Sequence, residues 1–245
     1  MAVVTVRFAD RPELWERIPE LFAGLIPEFN IHGDVGRVYW RRWFKEFPQF
    51  QLALHDDELD DVLAVARALP GRWDGTPQGL NSGLDACIEA AFTEPDPNVL
   101  YALGIEVAPR HQGKGLSKLL LRELTALAAA HGFSRVAVPI RPTWKDRYPL
   151  TPIGHYAAWT GKDGSPFDPW LRTHVNLGGV ITGSSERSSL ITGRVEEWES
   201  WTGMAFPEDG TYVFPGGLSP LRVDRTTDLT TYWEPAIWVV HQADG

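Results

Sequence analysis

From residue 3 to residue 8 the chain alternates β-branched and other side chains, the period of a strand whose two faces meet different surroundings. Asp10 and Pro12 then supply a cap and a helix start, and Leu14, Trp15, Ile18, Leu21, Phe22 and Leu25 recur at helical spacing. A second helix is predicted over 38–47, ended by Pro48. Residues 50–54 and 62–69 read as two strands of an antiparallel hairpin that turns on Asp56-Asp57-Glu58. Between Pro70 and Pro97 prolines and glycines break the pattern, with one helix over 82–92. An excursion of this length forms a lid or a pocket wall, or else decoration. Apolar periodicity returns as a strand at 99–107, a helix at 116–131 and a strand at 134–140, a unit for which a right-handed crossover is expected.

Beyond Arg141 the pattern loosens. A Pro- and aromatic-rich stretch covers 142–159, a short helix is predicted at 169–177, a strand at 180–182 and a helix at 195–201. Short strands follow near 211–214, 221–224 and 237–241. The predicted architecture is α/β: a mixed central sheet flanked by helices, with an inserted loop-helix segment at 70–97. Residues 1–184 form its core, and 185–245 a β-rich C-terminal extension packed on the same domain.

Composition narrows this picture. A formal net charge of −9 favours a neutral or cationic partner over a polyanion. The basic run Trp40-Arg41-Arg42-Trp43-Phe44-Lys45 is a local exception, read as the charged face of a helix. Cys87 is the only cysteine, so an intrachain disulfide is excluded, and it sits where a thiol packs as a small hydrophobe. No segment approaches the apolar length of a membrane span and the N-terminal apolar run is too short for a signal peptide, so a cytoplasmic setting without a membrane partner is expected. Eleven tryptophans suit pockets and interfaces as well as cores, and those from Trp144 to Trp238 offer a possible homodimer surface.

The chemistry concentrates where the strand at 99–107 meets the next helix. In Val107-Ala108-Pro109-Arg110-His111-Gln112-Gly113-Lys114-Gly115 two glycines stand two apart at a helix start, so unpaired N–H groups and the positive end of the helix dipole face outward. This is an anion site suited to phosphate. A Walker A loop fails, because Ala108 and Gly115 stand where Gly and Ser or Thr are needed. The dinucleotide pattern fails because Lys118 replaces the third Gly. The remaining Arg110-x-x-Gly113-x-Gly115 resembles the acyl-CoA-binding signature of the GNAT acetyltransferase superfamily, and the order of elements resembles that fold.

That resemblance implies acetyl-CoA or another acyl-CoA as co-substrate. Ile105 and Val107 would offer main-chain contacts to its pantetheine arm. The N–H groups of Gln112, Gly113, Lys114 and Gly115 would meet the pyrophosphate, helped by Arg110 and Ser117. It also implies direct acyl transfer to a small amine or similar nucleophile, with a carboxylate as base and a Tyr as acid. Glu106 alternates with Ile105 and Val107 and is the candidate base, with an Arg partner across the sheet as the alternative. His174 stands where the family has its Tyr, and a surface position on its helix is the alternative. Tyr148 and Tyr156 are other candidate acids, while Asp146, Arg147, Asp168 and Arg172 are candidate acceptor contacts. Two rival readings keep the fold, a non-catalytic CoA-binding scaffold and a transferase that uses aminoacyl-tRNA. Neither a serine elbow nor a metal-ligand spacing is present.

Overall fold

The computed structural model describes residues 3–21, 23–80 and 82–243. Phe22, one position of the predicted first helical stripe, lies outside them. Among the described residues nine strands form one sheet in the order β1-β2-β3-β4-β5-β9-β8-β7, with β6 on the other side of β9. The strands are β1 Val3–Arg7, β2 Gln51–Asp56, β3 Asp61–Gly71, β4 Val99–Val107, β5 Arg135–Ile140, β6 Val180–Gly193, β7 Gly210–Tyr212, β8 Leu221–Asp224 and β9 Leu229–Gln242. Seven helices accompany them: α1 Ile18–Leu21, α2 Asp34–Glu46, α3 Gly83–Thr93, α4 Leu116–Ala130, α5 Ile153–Ala157, α6 Pro169–Asn176 and α7 Val195–Thr202. This is the mixed α/β architecture anticipated. No helix among the described residues is long and apolar enough to cross a membrane.

β2 and β3 read as near-continuous apolar runs because both of their faces are covered. Leu52, Leu54, Ala64 and Ala66 pack under Leu120, Leu124 and Ala128 of α4, while Ala53 and Val65 face Leu14 and Ile18. α4 ends at Gly132 (φ +79°), where Phe133 N–H bonds Ala128 and Gly132 N–H bonds Ala129, both at 2.9 Å. This pair of bonds satisfies the last carbonyls of the helix.

The predicted boundary at residue 184 falls inside β6. β9 lies inside the sheet, with Ile237–Gln242 antiparallel to β5, and both of its halves pair with β6. Residues 194–228 connect the two strands of the β6–β9 hairpin. Only the ends of these two strands were predicted, and the reason is local. Ser185 and Ser189 flank a register shift opposite Glu234 and Ala236, which leaves Pro235 without a ladder partner. A proline cannot donate to a ladder and is tolerated at such a bulge.

β6 is an edge strand, and acidic side chains cover its free N–H groups. Asp85 of α3 accepts from Leu190 N–H (2.7 Å) and the Ser189 hydroxyl (2.9 Å), and Asp34 of α2 accepts from Thr192 N–H (3.1 Å) and its hydroxyl (2.7 Å). Burial pushes the Asp85 carboxyl above its ordinary value. The inserted 70–97 segment is thereby fixed as a wall, with the Leu84 N–H on the Ser188 hydroxyl at 2.9 Å. Cys87 is buried in this wall, and burial pushes its thiol up to about 12. Of the tryptophans between 144 and 238, Trp198 and Trp238 are fully buried, whereas Trp144, Trp159, Trp170, Trp201 and Trp233 are half-buried.

Candidate active site

β4 and β5 run parallel but pair only at Leu100↔Val136 and Tyr101↔Ala137. Immediately beyond, the β3–β4 register jumps from Ala68↔Ala102 to Arg67↔Gly104, so Leu103 is an extra residue in β4. A bulge bends its strand and increases local twist. β5 meanwhile stays in register with β9, and the two parallel strands separate. The gap is a cleft of about 290 Å³ whose walls include Gly104, Ile105, Glu106, Ile140, Arg141 and Trp170. The bulge also sets the faces. Ala102, Ile105 and Val107 pack toward α4, whereas Glu106 turns to the opposite face, where it meets Arg67.

The Ala108 N–H bonds the Leu63 carbonyl at 3.0 Å, which makes that pair a hydrogen-bonded one. Alternation along an antiparallel pair then turns the main-chain groups of Val107 and Ile105 away from β3, toward the open side. These are the two residues predicted to offer main-chain contacts. The Gln112 amide lies 3.4 Å from the Val107 carbonyl.

At the end of β4 the chain makes a short 3-10 turn over Pro109–His111 and enters α4 through Gly113 (φ +77°) and Gly115 (φ +78°). Side chains rarely adopt these left-handed values. A Cβ at either position would have no neighbour within 4 Å, so conformation and not crowding requires glycine here. The N–H groups of Gly113, Lys114, Gly115, Leu116 and Ser117 make no hydrogen bond among the described residues. Converging free amides at a helix start fit a pyrophosphate.

Arg110 does not point freely at this site. Its guanidinium pairs with Asp61 at the start of β3, which also holds the His111 ring at 2.8 Å. Partial burial pushes the Asp61 carboxyl up, but the hydrogen bonds from Arg110 and His111 outweigh it and hold it below its ordinary value. In this arrangement Arg110 braces the loop. Lys114 is exposed, its Nζ 3.3 Å from His111 Nδ1, and Ser117 is half-buried in the first turn of α4.

The Arg partner expected for Glu106 across the sheet is present, and Glu106 also lines the cleft. Oε1 pairs with Arg67, whose guanidinium lies 5.2 Å from the Trp40 ring centroid, while Glu106 itself lines the cleft. Oε2 has no hydrogen-bond partner among the described residues.

The candidate acids lie elsewhere. His174 is not on the helix surface but fully buried, with Nδ1 2.8 Å from His241 Nε2. Burial and the neighbouring His241 bring His174 down to about 3, which keeps the ring neutral. It is not part of the cleft wall. Tyr148 is exposed and packs edge-on against Trp159, and the Tyr156 hydroxyl donates to Asp168 at 2.9 Å. Asp168 is the buried N-cap of α6, Arg172 bonds Pro166 and Phe167 carbonyls, and Arg147 lies over Trp144. None of these, nor Asp146, lines the cleft. The charged residues that do are Glu106, Arg141 and Glu234. Arg141 was passed over because it is the first residue after an apolar strand, where a lone charge looks like an ordinary strand end.

The histidine pair has a measurable consequence. In the unfolded chain these rings titrate near 6.5, so below that pH the unfolded state binds more protons and stability falls as pH falls toward about 3. His174 alone is expected to cost about 2 kcal/mol between pH 7 and pH 5. Urea unfolding of His174→Leu over that range should show a correspondingly flatter pH dependence, and an unchanged slope would refute the neutral pair.

A split parallel pair with free amides at one mouth and a carboxylate in its wall is the architecture of transferases that take an acyl group from coenzyme A. The chain belongs to the GNAT acetyltransferase family: the model of that family matches residues 15–145. It is 30% identical over 270 residues to the arginine N-acetyltransferase avaD of Aspergillus versicolor, covering 95% of this chain and 91% of that protein. Among solved structures it resembles the loading GNATL domain of CurA from Lyngbya majuscula, with TM-score 0.60, 18% identity, and 99% and 98% of the two chains covered. It also resembles the GphF GNAT-like decarboxylase in complex with isobutyryl-CoA, with TM-score 0.59, 18% identity and full coverage of both. At that identity the two structures establish the fold.

Proposed function

We propose that this enzyme transfers an acetyl or similar small acyl group from acyl-CoA to the amine of a small acceptor of the arginine type, by direct attack. The observation that carries this reading is the split between β4 and β5, which has free turn amides at one end and Glu106 in its wall. The arginine N-acetyltransferase relative, similar over nearly its whole length, supports an amine of this kind.

Bound acyl-CoA would supply the electrophilic thioester carbonyl and the thiolate leaving group. The amides of Gly113, Lys114 and Gly115 would hold its pyrophosphate, with Gln112 and Ser117 beside them and Lys114 adding charge. Val107 and Ile105 would pair with the pantetheine through the main-chain groups they turn to the open side. An amine attacks only when neutral. Glu106, fixed through Oε1 by Arg67, keeps Oε2 to receive the proton as the N–C bond forms and the C–S bond breaks. Arg67 keeps the carboxylate oriented in this half-buried setting.

The test is direct. Purified protein with acetyl-CoA and a panel of amines, arginine among them, should release free thiol and give the N-acetylated product by mass spectrometry. Coenzyme A binding without thiol release above buffer for any amine would instead establish a non-catalytic scaffold.

A further inference from the structure

Arg141 follows β5 directly and lines the cleft. Its guanidinium is tied on one side only: Nε bonds Glu234 Oε1 and Nη2 bonds the Gly216 carbonyl. Nη1 has no partner among the described residues, and the side chain is 31% exposed. Glu234, 11% exposed, is engaged at both oxygens: Oε1 also accepts from Asn30 Nδ2 at 3.3 Å, and Oε2 accepts from the Tyr232 hydroxyl. The carboxylate fixes the plane of the guanidinium through Nε. A fork held in place before binding loses less side-chain entropy when it grips a carboxylate.

Asn30 supplies the opposite polarity. A carboxylate only accepts, so Asn30, a residue of the cleft lining, must turn its NH₂ to Glu234, and its Oδ1 is then left buried without a donor. An orphan acceptor of this kind requires an explanation. With Glu106 Oε2 the cleft offers two acceptor atoms and one donor edge, the complement of a molecule carrying both N–H donors and a carboxylate.

Resting on the acyl-transfer reading above, we infer that Arg141 binds the carboxylate of the acceptor, so that the acceptor class is free α-amino acids and not simple amines. Asn30 Oδ1 and Glu106 Oε2 receive its N–H groups. The carboxylate lies one carbon from the α-amine, so gripping it brings that amine to the thioester.

The experiment compares each accepted amino acid with its decarboxylated amine and its methyl ester, arginine with agmatine and arginine methyl ester first. Wild-type kcat/KM is expected to favour the free acid by about 100-fold, the scale of a lost charged hydrogen-bond pair. Arg141→Lys keeps a cation beside Glu234 but loses the planar fork. It should narrow that ratio to about 10-fold or less, mainly through KM, while calorimetry shows coenzyme A binding intact. Equal wild-type rates for acid and amine, or thiol release only with amines lacking a carboxylate, would overturn the assignment while leaving acyl transfer standing. Absence of thiol release with every amine would strike acyl transfer itself. The wild-type comparison decides even where the variant does not fold.

Discussion

Glu106→Gln is expected to lower kcat for amine acylation by about 100- to 1000-fold at neutral pH with coenzyme A affinity unchanged, the range in which a positioned base contributes. Gln preserves the shape and can still accept from Arg67, so the partner is not left as a buried cation without any hydrogen bond. What disappears is the capacity to take a proton at Oε2. As pH rises and more of the acceptor amine is already neutral in solution, the deficit should shrink. Steady-state kinetics across pH would read this directly. A variant within threefold of wild type at neutral pH would mean that Glu106 is only the partner of Arg67.

The larger loss is expected at the turn. Gly113→Asp with Gly115→Asp should weaken coenzyme A binding on the order of 1000-fold by calorimetry. Each left-handed residue costs a side chain about 1–2 kcal/mol, and two carboxylates would stand against a pyrophosphate. Because neither position has a neighbour within 4 Å, the relaxed loop leaves the rest of the fold intact and the cost falls on binding. The corresponding alanines isolate conformation from charge and should cost about 10-fold each. Normal coenzyme A binding by the folded aspartate variant would sink the cradle assignment.

Much of the molecule was legible along the chain. β4, α4 and β5 follow from strong apolar periodicity, and β8 and α3 from shorter runs between turn residues. Gly113 and Gly115 stand out in sequence because their spacing falls between a strand and an amphipathic helix. The long hairpin was not legible. Gly183-Ser184-Ser185-Glu186-Arg187-Ser188 has no strand composition; β9 pairs with Gly183, Ser184 and Ser185, and Asp85 and Asp34 on distant helices hold Leu190 and Thr192 further along the strand. α5 was hidden in a Pro- and aromatic-rich stretch that also reads as loop.

The site divides in the same way. Local spacing determined the turn, the face of Glu106 and the strand that carries it, because backbone conformation and alternation are short-range. Only tertiary structure decided that Glu106 meets Arg67, that Arg110 is committed to Asp61, and that His174 is buried against His241. Those facts depend on residues 39, 49 and 67 positions apart, brought together by sheet order. Arg141 shows the division most sharply. In sequence it is one charge after an apolar strand, and its orientation is set by Glu234, 93 residues later on β9, and by the Gly216 carbonyl.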